Sequence, residues 1–505
     1  MILGDGKAAD GAAHARAGAN ETLDGLFRRA GVRHADLIAL ADPPDRHAID
    51  GVEARWFTFA EADRVVSAIA AQLRRFDLPA DTVVAYQLPN TVETVLTFLG
   101  ILRAGMIAAP LPLLWRKADI VAALAPVGAK VLITANRAGA YPAAETAMQA
   151  AADLFPVRFV CGFGDGLPDG IVPLDALLAA AEAEAVPAPT RESDAGRHVA
   201  AITWEITARG PVPVARSHAE LIAAAPPLAA GDATLSLLSA TPPTSFAGIA
   251  LTLLPWLARG GTLHLHHGFE PETFVLQAGE RHCDTVVVPG PLLAPLSDAA
   301  FFSLPDIRQV VALWRAPEML GSAAPWHETP ALIDAACFGE LGLACAARPR
   351  GEAPAPLRSS PALRLSRTDD GMLALSGAMV PAHDLGAPAD DLPRLDRRFG
   401  GIVATGYRCR FEPRDGSVTV TVTVTAPPPD LVGIGGYRLA RSEIETTVGL
   451  FGADATVAVL PNGLTGQRLA GAADDPDTVR ALLAEQGTHA LLAAAFGPPN
   501  GAAAA

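Results

Sequence analysis

The 505-residue chain is 50% hydrophobic and 18% charged by residue count, enough apolar material for several ordinary cores, and it reads as a folded multi-domain protein. Its 54 acidic against 39 basic side chains leave a formal net charge of -15, which disfavours nonspecific binding to nucleic acid or anionic membrane; any anionic ligand must find a local positive spot. Five scattered cysteines, odd in number and without metal-ligand spacing, fit no closed disulfide framework and point to a reducing cytoplasm.

Residues 1–20 have no apolar core of signal-peptide length and read as a disordered leader. In WFTFAEADRVVSAIAAQLRRF, Thr58 is an N-cap with Glu61 three residues on, ahead of apolar residues at helical spacing. DTVVAYQLPN is then a short strand and TVETVLTFLGILRAG a helix stopped by Gly105, with MIAAPLP, KADIVAALAPVG and AKVLITA continuing the alternation. Strand, helix, strand, helix predicts a parallel sheet covered on both faces. Arg116-Lys117 reads as a surface helix start. TWEITARGPVPVARSHAEL, from residue 203, reads as a strand, a loop and a helix start.

The uncharged run from Ala233 to Ala258 is long enough to cross a bilayer, but Pro242, Pro243 and Pro255 among several Ser and Thr make it buried core instead. TLHLHHG carries His264, His266 and His267, which read as a solvated strand end, because alternate strand residues face opposite sides and no Cys/His cluster follows. Past residue 360 the texture becomes strand alternation around Asp-Gly turns, as in an antiparallel β-subdomain. Pro427, Pro428 and Pro429 make a stiff boundary (427–430) before a small unit at 431–495, and 496–505 read as a frayed tail. The expected class is α/β: a large N-terminal domain of α/β sheet subdomains with a small β-subdomain (21–426), then a short α+β C-terminal domain.

From about residue 21 to about 460, the order and content of these segments resemble the adenylate-forming superfamily of acyl- and aryl-CoA synthetases, luciferases and peptide-synthetase adenylation domains. FTFAEADRVVSAIAAQL, VVAYQLPNTVETVLTFLGILRAGMIAAPLPLLWRKADI and GAKVLITA are similar to its first blocks, and LLPWLARGGTLHLHHGFEPETF and TVVVPGPLLAPL to its middle. The resemblance implies activation of a carboxylic acid with ATP and Mg²⁺, forming an acyl-adenylate, and transfer to a thiol such as CoA. Both half-reactions need positive charge aimed at anions.

The positions that the resemblance marks for that chemistry are unevenly kept. The phosphate loop, anchored on Ser217-His218, becomes Trp204 to Val212, with valine at the lysine position and Trp204, Glu205 and Ile206 where small residues belong. Thr207 and Arg209 remain as anion contacts, yet the segment is read as a plain connection, since a carboxylate beside a triphosphate is repulsive. His218 is a packing or capping residue or a ligand contact. Phe338, Gly339 and Glu340 match the block that stacks on adenine and holds Mg²⁺ through its glutamate, although its threonine is missing. Thr405 and Gly406 are followed by Tyr407 where the ribose-gripping aspartate belongs, and a phenol lacks that two-oxygen acceptor geometry.

The hinge acid falls on Pro429, and proline resists the backbone rotation the family uses. Gly435, Gly436 and Arg438 match the loop that lines the thiol tunnel or else packs the small domain, and Phe246 falls near the acyl-pocket aromatic or is a core aromatic. The three lysines are Lys7, Lys117 and Lys130, so none serves as a C-terminal adenylation lysine. Two functions are carried forward. One is a noncatalytic acyl- or carboxylate-binding or assembly protein, with or without a partner enzyme; the other is a divergent acid-CoA ligase using ATP, Mg²⁺ and CoA.

Overall fold

A computed structural model describes residues 20–179, 185–187, 189, 194–382, 394–398, 401–413, 420–452 and 455–497. The leader up to residue 19, the Asp415-Gly416 turn and residues 498–505 lie outside them.

Among the described residues the alternation read from the sequence forms two α/β layers. One sheet orders Gly342–Arg348, Ala331–Phe338, Gln309–Trp314, Thr285–Pro289, Leu235–Ser239, Gly261–Leu265, Ile38–Ala41 and Trp56–Thr58, parallel except for its two edge strands. The other orders Val172–Pro173, Phe159–Phe163, Val131–Ala135, Val83–Gln87, Ile107–Pro110, Val199–Thr207 and Gly210–Ser217, and is parallel until its last pair. An antiparallel β-subdomain includes Met372–Ser376, Ile402–Pro413 and Val420–Ala426; the Asp370-Gly371 turn sits where expected, with Gly371 at φ 86°. A four-stranded antiparallel sheet with the helices Arg441–Gly449 and Pro476–Glu485 makes the small C-terminal unit.

Local chemistry explains the helix ends. Thr58 Oγ1 accepts the Glu61 amide while the Glu61 carboxylate accepts the Thr58 amide, capping the helix Phe59–Arg75. Gly105, at φ 82°, ends Val92–Ala104 in the left-handed region. That helix is buried on every side, so its ionic residues need internal partners: Arg103 pairs with Asp24 and Asp63, and Glu93 with Arg46. The uncharged stretch is core as expected, running as a helix from Phe246 to Arg259 with a wide π turn at Ile249–Leu253 just before Pro255. Among the described residues no helix is long and apolar enough to cross a membrane.

Three sequence expectations need correction. The expected loop after Thr207 is a strand: Gly210–Ser217 pairs antiparallel along Val199–Thr207, leaving Ala208-Arg209 as the turn. Pro211 and Pro213 hid it, but this is the edge of the sheet, where a missing N–H costs no ladder bond. His264 and His266 are not solvated; both are buried, and His266 Nδ1 lies 2.9 Å from Gln277 Oε1. The strand Gly261–Leu265 is internal to its sheet, so both of its faces are covered. The packed chain also extends into the expected tail, where Phe496 is buried in the core of the small unit.

Candidate functional site

Ligands of parallel α/β sheets gather beyond the carboxyl ends of the strands. Here those ends converge on a cavity of about 300 Å³. Leu88, Pro112, Ala240, His267, Pro289, Arg315 and Gly339 each end or follow a parallel strand and line it, and the C-terminal unit closes it with Gly435, Gly436, Tyr437 and Arg438. The walls carry three tryptophans, Trp115, Trp204 and Trp314. Trp204 is fixed by its indole N–H, which donates to Pro110 O at 3.0 Å, and its ring lies 6.1 Å from that of Trp115.

At one end of the cavity a buried ionic network joins the large domain to the C-terminal unit. Glu205 Oε1 pairs with Arg438 Nη1 at 2.5 Å, with side chains 6% and 11% exposed. Arg438 Nη2 donates to the Tyr407 hydroxyl. Glu205 Oε2 accepts the Glu340 amide at 2.5 Å, and Glu340 Oε2 accepts the Phe246 amide at 2.6 Å. Burial lifts the Glu205 carboxyl above the usual range, opposed by the Arg438 guanidinium and the Glu340 amide. For Arg438 burial pulls downward, but Tyr407 and Glu205 outweigh it and hold the guanidinium charged. Arg216 lies beneath, its guanidinium carbon 3.8 Å from the centre of the Phe246 ring, donating to the Glu340 carbonyl; burial lowers it to about 10.

Several sequence candidates meet in this network. Phe338 is buried, its ring edge-on to Tyr407 at 5.7 Å. Gly339 has φ 58°, and a Cβ there would overlap the Glu205 carboxylate and the Arg438 guanidinium. Glu340, Phe246 and Arg438 are joined as described, and Gly436, at φ 99°, passes directly against the Arg315 side chain. Thr405 supports from behind, donating to Leu373 O at 2.8 Å, and Gly406 packs on Pro428.

Other candidates stand apart. Thr207 Oγ1 donates to Gly210 O and accepts the Arg209 amide, so it closes the hairpin turn, with Arg209 on the exposed side. His218 starts the helix His218–Ala223 and accepts the Leu23 amide at 3.2 Å, tying that helix to Leu23–His34; it does not line the cavity. Lys117 pairs with Asp153, and neither it nor Lys130 lines the cavity. Among the described residues no group of three or more His, Cys, Asp or Glu is arranged to hold a metal ion.

Sequence reasoning missed Arg216, Arg315 and Tyr437. A signal for Arg216 exists once its segment is taken as a strand: it shares the parity of Val212 and Val214, whose side chains face the core. Nothing local marks Arg315.

The residues present do not fit a nucleotide triphosphate. A phosphate cradle needs free backbone amides and positive charge. Here Glu205, Ile206 and Thr207 are registered against Val212, Pro211 and Gly210 in a closed ladder, and the nearby cation Arg438 already holds a carboxylate.

The cavity histidines carry a pH signature. His267 Nδ1 accepts the Asn90 amide at 3.2 Å, and burial lowers its pKa to about 4. An unfolded histidine titrates near 6.5, so below that pH the unfolded chain takes up a proton that the folded site refuses; stability is lost as pH falls from about 6.5 towards 4. Asp42 and Asp119, raised by burial to about 7, act in the opposite sense over the same window, so a variant must serve as reference. We expect wild type to lose about 2 kcal/mol relative to His267→Asn between pH 7 and pH 4.5. Thermal unfolding of both proteins across that range checks it; parallel curves would contradict it.

Residues 30–204 match the family model described as AMP-binding enzyme. A stretch of 114 residues is 31% identical to the cyclosporin synthetase of Tolypocladium inflatum; it covers 23% of this chain and 1% of that one, so the chain spans a small fraction of that relative's length. Among solved structures, the amide bond synthetase McbA from Marinactinospora thermotolerans is similar at a TM-score of 0.69 and 20% identity, over 92% of this chain and 94% of its own. Mycobacterium smegmatis MbtA is similar at 0.66 and 20% identity, over 94% and 91%. At such identities these likenesses show the fold.

Proposed function

We propose that this chain is a member of the adenylate-forming superfamily, on the strength of the family match over residues 30–204 and the shared fold, and that within it the protein is a noncatalytic, acyl-CoA-synthetase-like binder of a carboxylic acid or acyl group, or an assembly protein of that kind. The single observation that carries this reading is the ion pair that Glu205, in the hairpin at the place of the phosphate loop, makes with Arg438 of the C-terminal unit. It puts a carboxylate where positive charge is required and engages Arg438, the cation that reaches that carboxylate. Removing one preorganised donor costs such chemistry about 10² to 10³ in rate, and several are replaced here together.

The adjoining cavity supports the binding half of the proposal: it lies between the strand ends and the C-terminal unit, carries tryptophans in its walls and is sized for one small ligand. We place the protein in the cytoplasm, on the strength of its free cysteines. A partner enzyme is part of the assembly reading. The second reading, a divergent acid-CoA ligase forming an acyl-adenylate and then a thioester with ATP, Mg²⁺ and CoA, is favoured by one observation. The Phe338-Gly339-Glu340 block is kept, and it lies beside the cavity.

Calorimetric titration with ATP and Mg²⁺ separates the two. No heat of binding, and no pyrophosphate exchange with benzoate or octanoate as acid, is expected. Exchange above a no-enzyme control would overturn the noncatalytic reading. Thermal stabilisation by an acid without ATP would support the binder.

A further inference from the structure

Arg315 follows the strand Gln309–Trp314 at its carboxyl end and lines the cavity. Its stem lies flat against the Gly435-Gly436 turn, so closely that a Cβ at Gly436 would overlap it. Its Nη2 donates to Ser245 Oγ at 2.8 Å, and that hydroxyl also caps the helix beginning at Phe246 by accepting the Gly248 amide. The side chain is therefore held at its stem by Gly436 and at one guanidinium nitrogen by Ser245. Of its five N–H donors only one has a protein acceptor among the described residues, and no carboxylate of those residues pairs with it. The other charges around the cavity are already engaged: Glu205 with Arg438, and Glu340 with the Phe246 amide above Arg216. The cavity histidine His267 is neutral at physiological pH.

A cavity with tryptophan walls and one preorganised, uncommitted cation selects a ligand with a flat or aliphatic apolar body and a single negative charge. We infer that Arg315 is the anchor for the anionic head of a free monocarboxylic acid, so that the site takes the acid itself and rejects its neutral esters and thioesters. This rests on the binding function proposed above and narrows it. A planar guanidinium offers parallel N–H pairs to a carboxylate, and a neutral ester in the same place would leave that cation buried and unanswered.

Trp115, Trp204 and Trp314 give the readout, since ligand entry alters their fluorescence. The full-length protein is titrated with benzoate, cinnamate and octanoate, and with the methyl ester of each, alongside Arg315→Met and Arg315→Lys. Methionine keeps a stem to pack on Gly436 and removes the charge; lysine keeps the charge and loses the fork. At least one acid should bind wild type about 10- to 100-fold tighter than its ester. Arg315→Met should abolish that preference with its melting temperature unchanged, and Arg315→Lys should keep part of it. Equal affinity for acid and ester, or undiminished acid binding by Arg315→Met, overturns the role of Arg315 and leaves the binding function standing. Failure of all three acids and all three esters to bind overturns both. If Arg315→Met does not fold, the decision passes to Arg315→Lys together with the acid-to-ester ratio of wild type, which needs no variant.

Discussion

Replacing Glu205 by alanine should loosen the C-terminal unit from the large domain and destabilise the protein by about 3–5 kcal/mol, the cost of leaving a buried charge without its partner. The stranded group is Arg438, which among the described residues keeps the Tyr407 hydroxyl as its one hydrogen-bond partner, while the Glu340 amide loses its acceptor. Charge deletion on both sides should be much milder, so Glu205→Ala combined with Arg438→Met should recover most of the loss. Thermal unfolding measures the size, and limited proteolysis near the exposed Pro429-Asp430 reports the loosening. A single variant that melts with wild type and resists cleavage equally would show that the pair does not hold the two parts together. Among the described residues further hydrogen bonds also tie the C-terminal unit down: Ser442 Oγ donates to Ala208 O at 2.9 Å, the Ala118 amide to Gly487 O at 3.0 Å and the Ala490 amide to Leu114 O at 3.3 Å.

The second large effect is expected at Gly339. Its φ of 58° alone costs an alanine about 1 kcal/mol or more. The added methyl group must also displace the Glu205 carboxylate or Arg438, which cannot yield without breaking their bond. Gly351→Ala is the internal control, because that residue has φ 81° with open space around it and so bears the backbone cost alone. We expect Gly339→Ala to exceed Gly351→Ala by about 2 kcal/mol or more in unfolding free energy, the excess being the disrupted network. Equal losses would mean that the glycine is required by its turn and not by the ion pair.

Much of the architecture was legible before any fold was known. The Thr58–Glu61 capping box, the Gly105 stop and the alternation of apolar strands with helices depend on residues a few positions apart, and all stand in the structure. Ordered blocks from residue 21 onward carried the resemblance to the superfamily, and that no lysine stands between residue 130 and residue 505 was plain from the sequence. Where the reading failed, the deciding neighbour was distant or the local signal ambiguous. Pro211 and Pro213 suggest a loop unless the segment is known to lie at a sheet edge, and His264 and His266 look solvated unless their strand is known to be interior.

The sequence by itself determined the α/β class and the succession of parts, because helices, strands and caps are governed by interactions over a few residues. It also raised, through the resemblance, the expectation of a glutamate carboxylate at position 205 where a phosphate loop would carry small residues. Only the tertiary structure decided what that glutamate does, by bringing it to Arg438, 233 residues away, and what Arg315 lacks, by surrounding it with side chains already paired among themselves. A buried charge takes its meaning from the partner that desolvation forces it to find, and that partner is chosen by how the sheets stack, which no local spacing records.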